Sequence, residues 1–264
     1  MSEETPEYYS KELFHKVVAL TKNPDASWDR ISHEIPVLPR GWFELSHLSR
    51  DDRVEFTKEF WFAKLPFEEE RHERKLEEFF EHLDDVEIYA TQEKEGMPFE
   101  VHMIYSMQHQ TGFFQGGPPS TPEMLETLQK QFANFVLPPD YLAFLGIHDG
   151  FNKYTDSGLI RVQMLARAYR AFQEILQGEE LVRPDGQVIN PKNLIPFYES
   201  FGLHSYQCFY ADWYLEDEMG NLFFSEYDRT ISNFLDTKRL EENLAFGTFL
   251  GWLVYYLEDI WQIE

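Results

Sequence analysis

LPPDYLAFLGIHDGF, residues 137–151, carries a whole helix together with its punctuation. Pro138-Pro139 forces a turn, because proline has no N–H to donate and clashes with the turn before it. A short helix is predicted over 140–147. Asp149-Gly150 ends it, since glycine tolerates the left-handed backbone that follows many helices. Working outward, Thr121 can cap an earlier helix, Pro122 suits its first position, and Glu123 complements the positive helix end. Leu125, Leu128, Phe132 and Phe135 then recur as an apolar stripe. Before that helix lies FFQGGPPSTPEM (113–124), whose consecutive Gly-Gly-Pro-Pro can continue neither a helix nor a central strand. The break divides the chain into an N-terminal region, 1–118, and a second region, 119–264.

Downstream of the opening stretch, 158–165 is predicted as a strand and 168–176 as a helix, followed by a polar loop over 177–193. Residues 194–201 are apolar and interrupted by Pro196. YQCFYADWYL (206–215) and NLFFSEYD (221–228) read as two strands of a hairpin around an EDEMG turn. A last helix is expected over 239–258, with Leu240, Leu244, Phe249, Leu250, Leu253, Val254 and Leu257 as its stripe. In the first region, helices are expected over 8–21, 50–63 and 68–83. A hairpin of 86–92 and 99–107 follows them. Strands joined by short turns, with helices at each end, give an α+β fold: a mainly antiparallel sheet with packed helices, preceded by an α+β N-terminal region.

Composition sets the function classes. Apolar residues make 43% of the 264 and aromatics 17%, which suffices to build a core despite the charge. The net charge is −24, with acids spread along the whole chain. Such a surface repels nucleic acid and anionic membranes, whose affinity comes from Lys and Arg, and attracts a basic partner. The single cysteine, Cys208, allows no internal disulfide and lies in an apolar stretch, as an inert buried thiol would. The N-terminal stretch lacks the apolar segment of a signal peptide, and no run is long enough to span a bilayer, so the expected location is cytoplasmic.

Chemistry-bearing motifs are sparse. GxSxG, GxxxxGK[ST] and GxGxxG are all absent, so no nucleophile elbow or phosphate cradle is predicted. Glu68 and His72, and Glu78 and His82, stand four apart on a predicted helix. A charged helix yields such pairs by chance, and a solvated face is the expected reading. His102 and His109 fall on opposite faces of a strand that reaches both. No catalytic residue, metal or cofactor is named. The acidic, aromatic-flanked hairpin is the best candidate binding surface: Trp213, Tyr214, Glu216, Asp217, Glu218 and Tyr227, since Trp and Tyr recur as binding hot spots.

The same stretches resemble the SUKH superfamily, the Smi/Knr type of toxin-immunity and cell-wall regulatory proteins. Leu137, Pro138, Asp140, Tyr141, Phe144, Asp149 and Gly150 match its opening pattern: Leu-Pro, an acidic-aromatic pair, and a helix closed by an acid and glycine. LIPFYESFGLHSYQCFYAD is similar to its second signature, at Ile195, Pro196, Phe197, Cys208, Phe209 and Asp212. The resemblance covers about 122–258. The 177–193 loop exceeds what a minimal member needs, and residues 1–118 match nothing in it. The resemblance implies an α+β binding module without catalytic residues, in which these motif residues are structural. It also implies a protein partner such as a toxin, and the net charge favours a basic one. The alternative is an N-terminal small-ligand or metal-dependent enzyme domain, using His72, His82, His102 and His109, fused to the SUKH-like module. The oligomeric state stays open.

Overall fold

The computed structural model describes residues 9, 13–108, 112–154, 156–178, 180–183, 185–215 and 218–258. The order of elements is β1 (Lys16–Ala19), α1 (Trp28–Glu34), α2 (Arg40–Leu45), α3 (Arg50–Lys64), α4 (Glu70–Glu81), β2 (Leu83–Gln92), β3 (Glu100–Met107) and β4 (Phe113–Gly116). Then come α5 (Pro122–Gln131), α6 (Pro139–Leu145), β5 (Phe151–Lys153), β6 (Gly158–Leu159), α7 (Val162–Ile175), β7 (Leu181–Val182), β8 (Val188–Ile189) and β9 (Leu194–Glu199). The chain closes with β10 (Ser205–Leu215), β11 (Glu218–Ser225), β12 (Thr230–Ile231), β13 (Ala245–Phe246) and α8 (Phe249–Glu258). The fold is α+β with antiparallel sheets.

One five-stranded sheet runs β1-β2-β3-β4-β5, and its last strand lies beyond residue 118. A second sheet runs β12-β11-β10-β9-β6, with β13 on β11. The Gly-Pro-rich segment between the regions is stitched to the end of α6. Gly117 N donates to Gly150 O (2.9 Å), Asp149 N to Pro118 O (3.1 Å) and Ser120 N to Leu145 O (2.8 Å). One apolar cluster gathers residues from both sides of that segment. Trp61 of α3 lies in it, with ring centroids 5.7 Å from Tyr105, 5.3 Å from Phe144 and 5.8 Å from Phe151. Each such aromatic pair contributes about 1 kcal/mol beyond its buried area. Arg53 clamps α3 to β2: its Nη2 donates to both Asp85 oxygens at 2.7 Å, and its Nε donates to Val86 O at 2.8 Å. The bidentate geometry leaves neither buried charge unpaired.

Three sequence expectations change. Residues 8–21 do not form the expected helix: among the described ones Lys16–Ala19 forms β1 on the edge of β2, and only a 3-10 turn, Leu20–Lys22, follows it. The β-branched pair Val17-Val18 fits a strand, and sheet pairing overrides a helical spacing that only a short segment supports. The strand expected over 158–165 stops at Leu159, and Val162 opens α7, whose first N–H takes a side-chain cap described below. The last helix begins at Phe249, ten residues later than expected. Leu240 and Leu244 lie outside it, because Ala245–Phe246 pairs with β11 and Leu244 takes a left-handed φ of 53°. The polar loop 177–193 holds the small hairpin β7–β8. Pro196 lies inside β9, which has neighbours on both sides. The β9–β10 register shifts between Gln207 and Cys208, opposite it, and a bulge is where a strand tolerates proline. Among the described residues, no helix is long and apolar enough to cross a membrane.

Candidate functional site

The acids of 137–151 are spent on helix ends. Asp140 is buried on α6; its Oδ1 accepts from Tyr141 N and its Oδ2 from Leu250 N, each at 2.8 Å. Leu250 is in the first turn of α8, so Asp140 supplies that helix with a cap from another element. Burial pushes its pKa up to about 6, against the pull of those N–H donors. Asp149 does the same for α7: its Oδ1 accepts from Val162 N at 2.7 Å. Burial raises its pKa too, opposed by the Val162 bond and the Arg161 charge. Gly150 has φ 85°, and a Cβ there would lie 2.8 Å from Arg161 Cγ, so only glycine fits.

Between these acids, His148 is fully buried. Gly117 O can only accept, so His148 Nδ1 donates to it (2.9 Å), and Nε2 then accepts from the Tyr105 hydroxyl. Tyr105 Oη in turn accepts from Trp61 Nε1 at 3.1 Å. Burial lowers the His148 pKa to about 4 and keeps the ring neutral. An apolar hollow of about 340 Å³ opens here between Trp42, Phe56, Phe60, Trp61 and Ile147. Its Tyr105 and His148 already have partners.

The remaining motif residues are packing or tethers. Leu137, Tyr141, Phe144, Ile195 and Phe197 are buried, and Pro138 directly precedes α6. Asp212 is exposed and accepts from Asn193 Nδ2 at 2.7 Å. Cys208 is buried, and burial raises its thiol pKa well above the usual value.

The hairpin residues do not form one patch. Trp213 is only 9% exposed; its ring lies 5.1 Å from Phe234 and lies against Gly220, where a Cβ would come within 2.4 Å of it. Tyr214, on the other strand face, is exposed. Tyr227 is 95% exposed, but it follows β11 at the end away from the β10–β11 turn. Glu216 and Asp217 lie outside the described residues. Glu218 opens β11 and is half-buried. Burial, then the nearby charges of Asp140 and Glu68, push its pKa up to about 7. Its Oε2 is buried and has no hydrogen-bond partner.

Glu218 and Asp140 line one cleft of about 300 Å³, assembled from segments far apart in the chain and so not legible in the sequence. It lies between the start of α4, the start of α8 and the paired ends of β10 and β11, Leu215 and Glu218. Glu68, Glu69, Asp140, Glu218 and Glu241 give it five carboxylates against one guanidinium, Arg71. Arg71 is already paired with Glu241 at 2.6 Å. His72, expected on a solvated face, instead has a side chain only 4% exposed and lines the cleft. Its Nε2 has no hydrogen-bond partner, and burial lowers its pKa. The cause of that misplacement is α8, which packs on α4 and is closed over it by Lys75 Nζ and Glu258 at 2.8 Å.

The other histidines do not converge with it. His82 is exposed, with Nδ1 2.7 Å from Glu78 O. His102 is buried on β3, its pKa lowered to about 4 by burial and then by Arg161. His109 lies outside the described residues. Among the described residues, no group of three His, Cys, Asp or Glu side chains could hold a metal ion.

A family model described as the SMI1 / KNR4 family (SUKH-1) matches residues 119–250. No curated protein matches the chain, and no solved structure does.

Proposed function

The chain belongs to the SMI1 / KNR4 family (SUKH-1), and on that premise we propose that it is a non-enzymatic protein-binding module of the immunity or regulatory kind, acting in the cytoplasm on a basic protein such as a toxin. Residues 119–264 are the family module in this reading, and residues 1–118 supply four strands of the first sheet, to which the module adds β5, and one wall of the cleft. The observation that carries the proposal is the acid-lined cleft at the paired ends of β10 and β11, where carboxylates outnumber cations five to one. With a net charge of −24 behind it, the cleft favours encounter with a positive surface and disfavours nucleic acid. Tyr214, Glu216, Asp217 and Glu218 form the proposed contact edge. Trp213 supports it from the core side, and Tyr227 is a separate, outlying contact.

The test is affinity capture with the purified full chain from lysate of its source, at low and high salt, with mass spectrometry of what is retained. The expected result is a specific basic protein that is held at low salt, released at high salt, and weakened when Glu216→Gln and Asp217→Asn are introduced together. Capture of no protein at either salt, or of one indifferent to salt and to the paired substitution, would sink the proposal.

A further inference from the structure

The cleft between α4, α8 and the paired ends of β10 and β11 contains two polar atoms that the fold leaves unused, a carboxyl oxygen and an imidazole nitrogen, each of which can accept a hydrogen bond. The helix end that opens on it offers few donors, because Leu250 N is taken by Asp140 and Gly251 N by Thr248 Oγ1 at 2.9 Å. The cleft's own cation, Arg71, is engaged by Glu241. What remains is Glu218 Oε2 and His72 Nε2, both buried and both without a hydrogen-bond partner. A buried polar atom without a partner costs free energy, and two that line one cleft can both be satisfied by a single ligand that donates to them. The surrounding excess of carboxylate gives that donor a positive charge.

Resting on the protein-binding reading above, we propose that this cleft takes the guanidinium of an arginine side chain from the basic partner, with Glu218 Oε2 and His72 Nε2 as its acceptors. A planar fork of five N–H donors can reach a carboxylate and an imidazole nitrogen together. A guanidinium is also less strongly hydrated than an ammonium, so it gives up less on entering a half-buried site. The cleft, at about 300 Å³, is at the small end of ligand pockets, the size for one long side chain. The neutral form of His72, favoured by its burial, offers Nε2 as an acceptor in the tautomer whose proton is on Nδ1, and a cation arriving beside Glu218 favours its ionised form.

The tripeptide acetyl-Gly-Arg-Gly-amide is titrated into the full chain and followed by NMR of the His72 ring nitrogens and the Glu218 carboxyl carbon. Saturable shifts at both groups are expected, and the Glu218 titration midpoint falls by about one pH unit, equivalent to about tenfold tighter binding by the carboxylate. The citrulline tripeptide, equal in shape but uncharged, moves neither. Glu218→Gln weakens the arginine peptide by about tenfold, the value of one charge-assisted hydrogen bond. Glu68→Gln, at an exposed position safe for folding, weakens it less. Unchanged resonances with the arginine peptide, or equal shifts with the citrulline or lysine peptide, overturn the assignment. If a basic protein is captured and Glu218→Gln and Glu68→Gln hold it as tightly as the parent chain does, the cleft assignment fails while the protein-binding reading survives. If the arginine peptide binds but no protein is captured, the reverse holds.

Discussion

Asp140 on α6 and Glu218 on β11 line the same cleft, and burial pushes both carboxyl groups toward neutrality, to about 6 and about 7. They differ in their donors. Asp140 takes two backbone N–H groups and holds α8 in place, while the buried oxygen of Glu218 takes none. A desolvated acid with its acceptors filled is explained by the fold. One left empty is a cost that the fold does not recover, and it directs attention to something outside the chain. The same distinction separates the two hollows: the apolar one has its Tyr105 and His148 in a satisfied chain, whereas the acidic one has His72 unsatisfied.

Substitutions test that contrast, and the largest effect belongs to the acid with donors. Asp140→Ala strands the N–H groups of Tyr141 and Leu250 in the core and is expected to cost about 3 kcal/mol in urea unfolding. A loss under about 1 kcal/mol would mean that water replaces the carboxylate, and the structural role would be wrong. Asp149→Ala removes the cap of α7 alone and is expected to cost about 1–2 kcal/mol by the same measurement. Glu218→Gln should behave in the opposite sense. A carboxyl whose pKa is raised by folding, from 4.5 to about 7, contributes stability below about 4.5 that is lost as pH rises through about 7. Glutamine cannot ionise, so the variant's melting temperature should equal or exceed the parent's at pH 8, with the gap closing by pH 5. A lower melting temperature at pH 8 would show that Glu218 has a donor in solution. Smallest of all, Tyr227→Ala should leave stability within about 0.5 kcal/mol, because its side chain is almost wholly in solvent. It should also weaken a captured partner less than Tyr214→Ala, since Tyr214 adjoins the turn and Tyr227 does not. An equal effect would place the contact edge along the whole hairpin.

The histidines extend the pH contrast. His102 and His148 have pKa values lowered by burial to about 4, so they contribute stability above about 6.5 that is lost as pH falls through about 4. The acids and the histidines therefore erode the fold from opposite sides of neutrality.

The sequence by itself determined what local interactions encode. Thr121-Pro122 starts α5, with Thr121 Oγ1 accepting from Met124 N at 3.3 Å; Pro138-Pro139 opens α6; Asp149-Gly150 closes the opening stretch; and the two long hairpins follow their strand patterns. Caps, turns and periodic faces act over three or four residues, so they are legible in a string. The family motif was legible for the same reason. Only the tertiary structure decided what those residues touch. Leu250, the partner of Asp140, lies 110 residues away, and the cleft joins the start of α4 to the β10–β11 turn more than a hundred residues further on. The charged pattern around His72 belongs to a solvated face in isolation, and the packing of α8 on α4 buries it. Likewise Val17-Val18 and Leu240–Leu244 carried helical spacing, yet a neighbouring strand took the first for a sheet edge and pairing with β11 ended the second. Local propensity is worth a few tenths of a kcal/mol per residue, and a long-range partner that satisfies backbone groups outweighs it.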